Sequence, residues 1–188
     1  MKKMVSFYRQ IPNILTASRG VMALIITALF YSQINSRFVV IIVLFVLATL
    51  TDWFDGKIAR KFNYVSNLGK ILDSMLDKVL VLAMFMLLIP FQLLPSWIYV
   101  LLLMREISID SLKNYFASQG IISSARMSGR IKMALETILI TICLVRLISE
   151  NTALTQLSYV TAGLTLFFAF YSAGQYIYSW TRIKSNDR

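Results

Sequence analysis

The feature that most constrains the fold of this chain is a series of apolar segments, each close to the length of a membrane-crossing helix. A helix needs about 20 predominantly apolar residues to cross the hydrocarbon core of a bilayer. Six segments approach this length, with predicted bounds 14–32, 37–56, 70–90, 94–114, 130–149 and 154–179. The pattern predicts an all-α, polytopic membrane protein with six transmembrane helices.

The overall composition agrees with a membrane protein. Hydrophobic residues make up 57% of the chain and charged residues only 15%, with a mean hydropathy of +0.68. So few charged residues could not cover the surface of a soluble protein of this size. A length of 188 residues predicts a single domain that spans residues 1–188.

The distribution of lysine and arginine predicts the orientation of these helices. With six crossings, one side of the membrane receives both termini and the loops after the second and fourth helices. Of the 19 lysines and arginines, only Arg37 and Arg146 fall on the other side. Because basic residues favour the cytoplasmic side, we expect both termini to be cytoplasmic.

The charged and reactive residues exclude several kinds of site. The chain has no histidine, which excludes a Ser-His-Asp triad and a histidine-bound zinc ion. Its one cysteine, Cys143, lies among aliphatic residues and is expected to be a buried thiol. The formal charge is +10, but the basic residues stand between apolar segments. This favours a lipid bilayer and phosphate-bearing substrates as partners, and not nucleic acid.

Four aspartates concentrate around the junction of the second and third predicted helices. Asp52 and Asp55 are three residues apart, and Asp73 and Asp77 are four apart, so each pair is expected on one helical face. Ionised carboxylates so close together would repel each other unless counter-charge were supplied. Nearby lysines and arginines are one source, and a divalent cation is the other. We favour the cation, because acidic residues in membrane helices are costly and are usually functional.

The same stretch resembles the signature of a known family. It reads Asp52-x2-Asp55-Gly56-x2-Ala59-Arg60-x8-Gly69-x3-Asp73-x3-Asp77, which is similar to the pattern of the CDP-alcohol phosphatidyltransferases. "IPNILTASR" resembles the start of the first helix in that family. "MREISIDSLKNY" and "SGRIKMALE" resemble segments of its bacterial members that make phosphatidylglycerophosphate. The resemblance extends over nearly the whole chain.

The resemblance implies a reaction, cofactors and site residues. Members displace CMP from a CDP-linked lipid with an alcohol, use two divalent cations (Mg²⁺ or Mn²⁺) and form homodimers of six-helix chains. It implies a bacterial inner-membrane enzyme whose active site faces the cytoplasm. Metal ligands would be Asp52, Asp55, Asp73 and Asp77, with Asp77 also the general base. The residues expected to bind CDP are Asn13, Thr16, Asp52, Gly56, Ala59, Arg60 and Gly69. For Asn13 and Thr16, helix capping and the position near the membrane surface are an alternative explanation.

The acceptor alcohol is predicted by the resemblance and by basic residues outside the signature. CDP-diacylglycerol and glycerol 3-phosphate are the expected substrates, and a phosphate-bearing acceptor needs cations of its own. The candidates are Arg105, Lys113, Arg130 and Lys132; each is alternatively a determinant of topology. Many relatives have proline where this chain has Ser74 and arginine where it has Lys113, which weakens the identification of the acceptor.

Four other functions remain open. One is a structural membrane protein that uses the aspartates for assembly, although this would leave the spacing of the glycines and the alanine unexplained. Inositol phosphate as the acceptor, or phosphatidylglycerol to give cardiolipin, would keep the same reaction type. A small cation transporter is an alternative from another class. A transporter would be expected to place its acidic residues near the middle of the membrane, whereas Asp52, Asp55 and Asp73 are predicted at cytoplasmic helix ends.

Overall fold

The computed structural model is all-helical over the residues that it describes, and short connections separate the helices. The backbone is described for residues 18–62, 67–119, 127–149 and 151–186, and the side chains for 18–50, 78–119, 127–149 and 151–181. The helices are α1 (Ser18–Tyr31), α2 (Arg37–Phe62), α3 (Asn67–Leu88), α4 (Ser96–Ser118), α5 (Met127–Arg146) and α6 (Thr152–Asn186). A 3₁₀ turn, Ile89–Phe91, follows α3. The predicted all-α class is confirmed.

Helix α2 is longer than the sequence prediction. Its predicted end was residue 56, but the helix continues to Phe62 and includes the segment GKIARKF. The prediction was wrong there because it followed hydropathy, which reports the apolar part of a helix. Alanine, lysine and arginine are good helix formers, so the backbone stays helical after the apolar run has ended. Gly56, which usually weakens a helix interior by about 1 kcal/mol, does not end it.

The described residues divide into two compact units. The first contains α1, α2 and α3 together with Leu147–Ser149. In this unit Phe30 of α1 meets Phe38 of α2 edge to face, with ring centroids 6.0 Å apart. Such a pairing suits the quadrupoles of the two rings and joins the helices on either side of their short connection.

The second unit contains α4, α5 and α6, and α6 packs against both of the others. Trp180 of α6 stacks on Phe116 of α4, with centroids 4.6 Å apart, and on Tyr176 at 5.6 Å. Ile109 and Ala173 complete this cluster of buried residues. The cluster therefore joins the C-terminal parts of α4 and α6.

Polar contacts join the other ends of these helices. At the end of α5, Arg146 donates hydrogen bonds to the carbonyl oxygen of Leu93 (2.6 Å) and to Ser158 Oγ (2.8 Å) of α6. One turn before Arg146, Cys143 is fully buried, with its sulfur 4.0 Å from the hydroxyl oxygen of Tyr99. The predicted burial of this thiol is confirmed.

Helix α6 is the one described helix that is both long and apolar enough to cross a membrane, over Thr152–Thr181. Large apolar side chains along it, including Val160, Phe167 and Tyr178, are exposed. An apolar surface of this kind suits lipid or another apolar partner better than water. The apolar stretches described in α1, α2 and α3 are shorter. The six crossings and the cytoplasmic termini therefore stay predictions.

Candidate active site

The four aspartates of the signature lie on two helices. Asp52 and Asp55 belong to α2, and Asp73 and Asp77 to α3. Because the backbone is helical at both places, the spacings of three and four residues put the members of each pair on one helical face. Their side chains lie outside the described part, so the distances between the carboxylates stay predictions.

The extension of α2 changes how the rest of the signature is arranged. Positions 52, 55, 56, 59 and 60 follow one another at the i, i+3, i+4, i+7, i+8 spacing of a continuous helical face. Positions 69, 73 and 77 of α3 follow at successive intervals of four. Each half of the signature is thus one helical stripe. The predicted nucleotide contacts Asn13 and Thr16 lie outside the described residues.

The chemistry of these residues fits a divalent metal. Four aspartates on two helical stripes supply only carboxylate oxygens, which are the ligands that Mg²⁺ and Mn²⁺ prefer. Among the side chains that the structure does describe, no group of three or more His, Cys, Asp or Glu residues could hold a metal ion. By their chemistry, the aspartate stripes of α2 and α3 are a candidate metal site.

Two of the predicted acceptor residues lie close together inside the second unit. Arg105 of α4 donates a hydrogen bond from Nε to the carbonyl oxygen of Ala169 (3.0 Å) and from Nη2 to Ser172 Oγ (2.6 Å), both on α6. Its Nη1 pairs with Glu106 Oε1. Lys132 of α5 reaches the same oxygen of Glu106, with Nζ 2.6 Å away. Glu106 thus bridges the two predicted phosphate ligands.

A second carboxylate completes this cluster. Glu136 Oε2 lies 2.8 Å from Lys132 Nζ, one helical turn along α5. We name Arg105, Glu106, Lys132 and Glu136 the buried charge network, since every side chain in it is at least nine-tenths buried. Each cation in it contacts a carboxylate, and each carboxylate contacts a cation. Such pairing is physically required, because a buried charge without its partner costs several kcal/mol.

The two carboxylates of the network were not among the predicted site residues. The spacing of Lys132 and Glu136 is an i, i+4 pair on a helix, which the sequence could have indicated. The position of Glu106 between two helices had no local signal, because it depends on how α4 and α5 pack.

The other two acceptor candidates do not join the network. Lys113 Nζ lies 4.4 Å from the ring centroid of Tyr176, a cation–π distance. Arg130, in the first turn of α5, is exposed. Of the four predicted cations, the structure therefore brings together Arg105 and Lys132.

These features define a class of protein. It is an all-helical chain with an exposed apolar helix surface, an aspartate signature on two helices and a buried charge network. The model of the family CDP-alcohol phosphatidyltransferase matches residues 9–171. The chain belongs to this family. The matched range includes the whole signature and the whole buried charge network, and it confirms the resemblance found in the sequence.

Curated relatives are similar over much of the chain. A protein of Bacillus subtilis (strain 168) is 34% identical over 150 residues, which are 77% of this chain and 76% of the relative. One from Sodalis glossinidius is 34% identical over 176 residues, covering 90% and 93% of the two chains. One from Rickettsia typhi is 36% identical over 109 residues, covering 58% and 61%. All three are named CDP-diacylglycerol–glycerol-3-phosphate 3-phosphatidyltransferase.

Proposed function

We propose that this chain transfers the phosphatidyl group of CDP-diacylglycerol to glycerol 3-phosphate, with release of CMP. Membership of the CDP-alcohol phosphatidyltransferase family supports the reaction type, a transfer of the phosphatidyl group with loss of CMP. The choice of glycerol 3-phosphate as the acceptor is supported by the names of two relatives, which align over 76% and 93% of their own length. Family membership also favours a transferase over the alternative of a cation transporter.

Asp77 is the proposed general base. The attacking hydroxyl of the acceptor is a weak nucleophile, and a carboxylate that accepts its proton typically contributes a factor of about 10²–10⁴. Asp52, Asp55, Asp73 and Asp77 would hold two Mg²⁺ or Mn²⁺ ions. When bound, these ions would neutralise the diphosphate and stabilise the charge that develops on the leaving CMP.

The remaining signature residues would bind the nucleotide. Gly56 and Ala59 are small, which leaves room for a flat base beside α2. Arg60 continues the same helical stripe, and a guanidinium binds phosphate oxygens in bidentate fashion. Gly69 is proposed to open the first turn of α3 toward the nucleotide, and Asn13 and Thr16 to close the pocket.

Arg105 and Lys132 are the proposed ligands of the acceptor phosphate. In the structure both cations already pair with Glu106 Oε1. An incoming phosphate would bind the N–H groups of both cations that these contacts leave unused, so that Arg105 and Lys132 keep Glu106 as their counter-ion. Lys113 and Arg130 are proposed as weaker, outer contacts for the same phosphate.

Each chain of the proposed enzyme crosses a bacterial inner membrane six times, and two chains form a homodimer. Both termini and the active site lie on the cytoplasmic side. The unequal distribution of lysine and arginine supports this orientation. The length and apolar surface of α6 support a membrane location.

Cysteine labelling tests the orientation. Ser118→Cys at the last residue of α4 and Ser149→Cys before α6, each made in a Cys143→Ser background, introduce thiols at exposed positions. In sealed inverted vesicles, a membrane-impermeant maleimide should label Cys at position 118 and, before detergent is added, not at 149. In intact cells, the same reagent should label Cys at position 149 and not at position 118. Labelling of both positions from one side would contradict the proposed topology.

The reaction itself is tested with purified protein, CDP-diacylglycerol, Mg²⁺ or Mn²⁺ and a panel of alcohols. We expect CMP release with glycerol 3-phosphate, and loss of that release when EDTA removes the metal. Glycerol, which lacks the phosphate, serves as the matched control and should be a poor acceptor. Release with inositol phosphate or phosphatidylglycerol but not with glycerol 3-phosphate would move the chain to another member of the family.

A further inference from the structure

Within the part of the chain whose side chains are described, one polar atom of the buried charge network has no hydrogen-bond partner. Glu136 is 2% exposed and its Oε2 pairs with Lys132, but its buried Oε1 makes no hydrogen bond to any described residue. Leaving a buried acceptor unsatisfied is destabilising, and more so when the group is charged. Such atoms are few in native proteins, so each one calls for an explanation.

The chemistry of Glu136 limits what could satisfy this oxygen. A carboxylate oxygen accepts hydrogen bonds, so a donor group such as a hydroxyl is a suitable partner for Oε1. The carboxylate is held in place through Oε2, because Lys132 also pairs with Glu106 of α4. Glu136 therefore offers a fixed, unused acceptor beside the cations proposed to bind the acceptor phosphate.

The donors and the acceptor of the buried charge network together complement a ligand that has a phosphate and a nearby hydroxyl. Arg105 has five N–H groups, of which the described contacts use three. Lys132 has three, of which they use two. The unused donors suit a phosphate, and Glu136 Oε1 suits a hydroxyl. Glu136 stands one turn, about 6 Å along the axis, further into α5 than Lys132.

We propose that Glu136 determines acceptor specificity by accepting a hydrogen bond, through Oε1, from the hydroxyl of the acceptor that does not react. This rests on the proposed function, because it assigns the middle hydroxyl of glycerol 3-phosphate to Glu136. The ligand class it selects is a phosphate monoester that carries both a reacting hydroxyl and a second, neighbouring one.

The test compares two acceptors that differ only in that hydroxyl. 3-Hydroxypropyl phosphate keeps the phosphate and the terminal hydroxyl of glycerol 3-phosphate and lacks the middle hydroxyl. With the unmodified enzyme, kcat/KM should be about 10- to 100-fold lower for 3-hydroxypropyl phosphate, as expected for the loss of one hydrogen bond to a charged group. With Glu136→Met, which has a similar length but no oxygen to accept the hydrogen bond, the two values should approach each other.

The adjacent Thr137→Val is the matched control. Its hydroxyl already donates to the Met133 carbonyl oxygen on the same helix, so its loss should leave the ratio between the two acceptors unchanged. Thermal unfolding of each variant verifies that it is folded. Glu136→Gln, which keeps a neutral acceptor oxygen, gives a second readout if the Met variant is unstable, and it should reduce the ratio between the two acceptors only in part.

Each other outcome overturns the proposal. If Glu136→Met slows both acceptors equally and keeps their ratio, Glu136 only holds Lys132. An unmodified enzyme that does not discriminate between the two acceptors has no contact with the middle hydroxyl. An enzyme that releases no CMP with glycerol 3-phosphate, but does so with another alcohol, contradicts the proposed function itself.

Discussion

Replacing Asp77 by asparagine is expected to lower the rate of CMP release by at least about 100-fold. The amide has nearly the size of the carboxylate but cannot accept a proton at neutral pH, so the acceptor hydroxyl loses its base. The loss of one charge also weakens the proposed metal site, which adds to the effect. The measurement is kcat for glycerol 3-phosphate and CDP-diacylglycerol at saturating Mg²⁺.

Asp110→Asn is the matched control for this prediction, because Asp110 is a carboxylate on α4 outside the signature. It should retain turnover, and both variants should unfold at temperatures close to that of the unmodified protein. Substantial turnover by Asp77→Asn would remove Asp77 as the base. Recovery of its turnover at high Mn²⁺ alone would indicate that Asp77 acts only as a metal ligand.

Replacing Arg105 by alanine is expected to raise the KM for glycerol 3-phosphate about 10- to 100-fold, with a smaller change for CDP-diacylglycerol. The guanidinium is the proposed partner of the acceptor phosphate, and hydrogen bonds between charged groups are worth about 1.5–3 kcal/mol. The same change leaves Glu106 with only Lys132 as its partner, so the unfolding temperature should also fall.

A double variant separates these two effects. In Arg105→Met with Glu106→Gln, a cation and a carboxylate are lost together, so the net charge of the network does not change. Stability should then recover relative to Arg105→Ala, while the KM for the acceptor stays high. Arg146→Ala is the matched arginine control, because Arg146 joins Leu93 to Ser158 at the other end of the unit. It should lower stability and leave both KM values unchanged. A larger rise in the KM for CDP-diacylglycerol would instead assign Arg105 to the nucleotide.

The candidate site could be predicted from sequence where its signals are local. Asp52, Asp55, Asp73 and Asp77 were found because their spacing repeats the period of a helix and matches a family signature. The extent of α2 was missed because hydropathy falls at residue 56, although the backbone hydrogen bonds continue to Phe62. Because α2 extends to Phe62, its aspartates and its proposed nucleotide-binding residues lie along one face of the same helix.

The sequence by itself determined the helical class, the family and the residues of the signature, because these depend on periodicity and spacing along one segment. Only the tertiary structure decided that Arg105 and Lys132 share Glu106, and that Glu136 keeps a free oxygen beside them. The physical reason is burial. Charges withdrawn from water must find partners, and those partners come from whichever helices packing brings within about 3 Å.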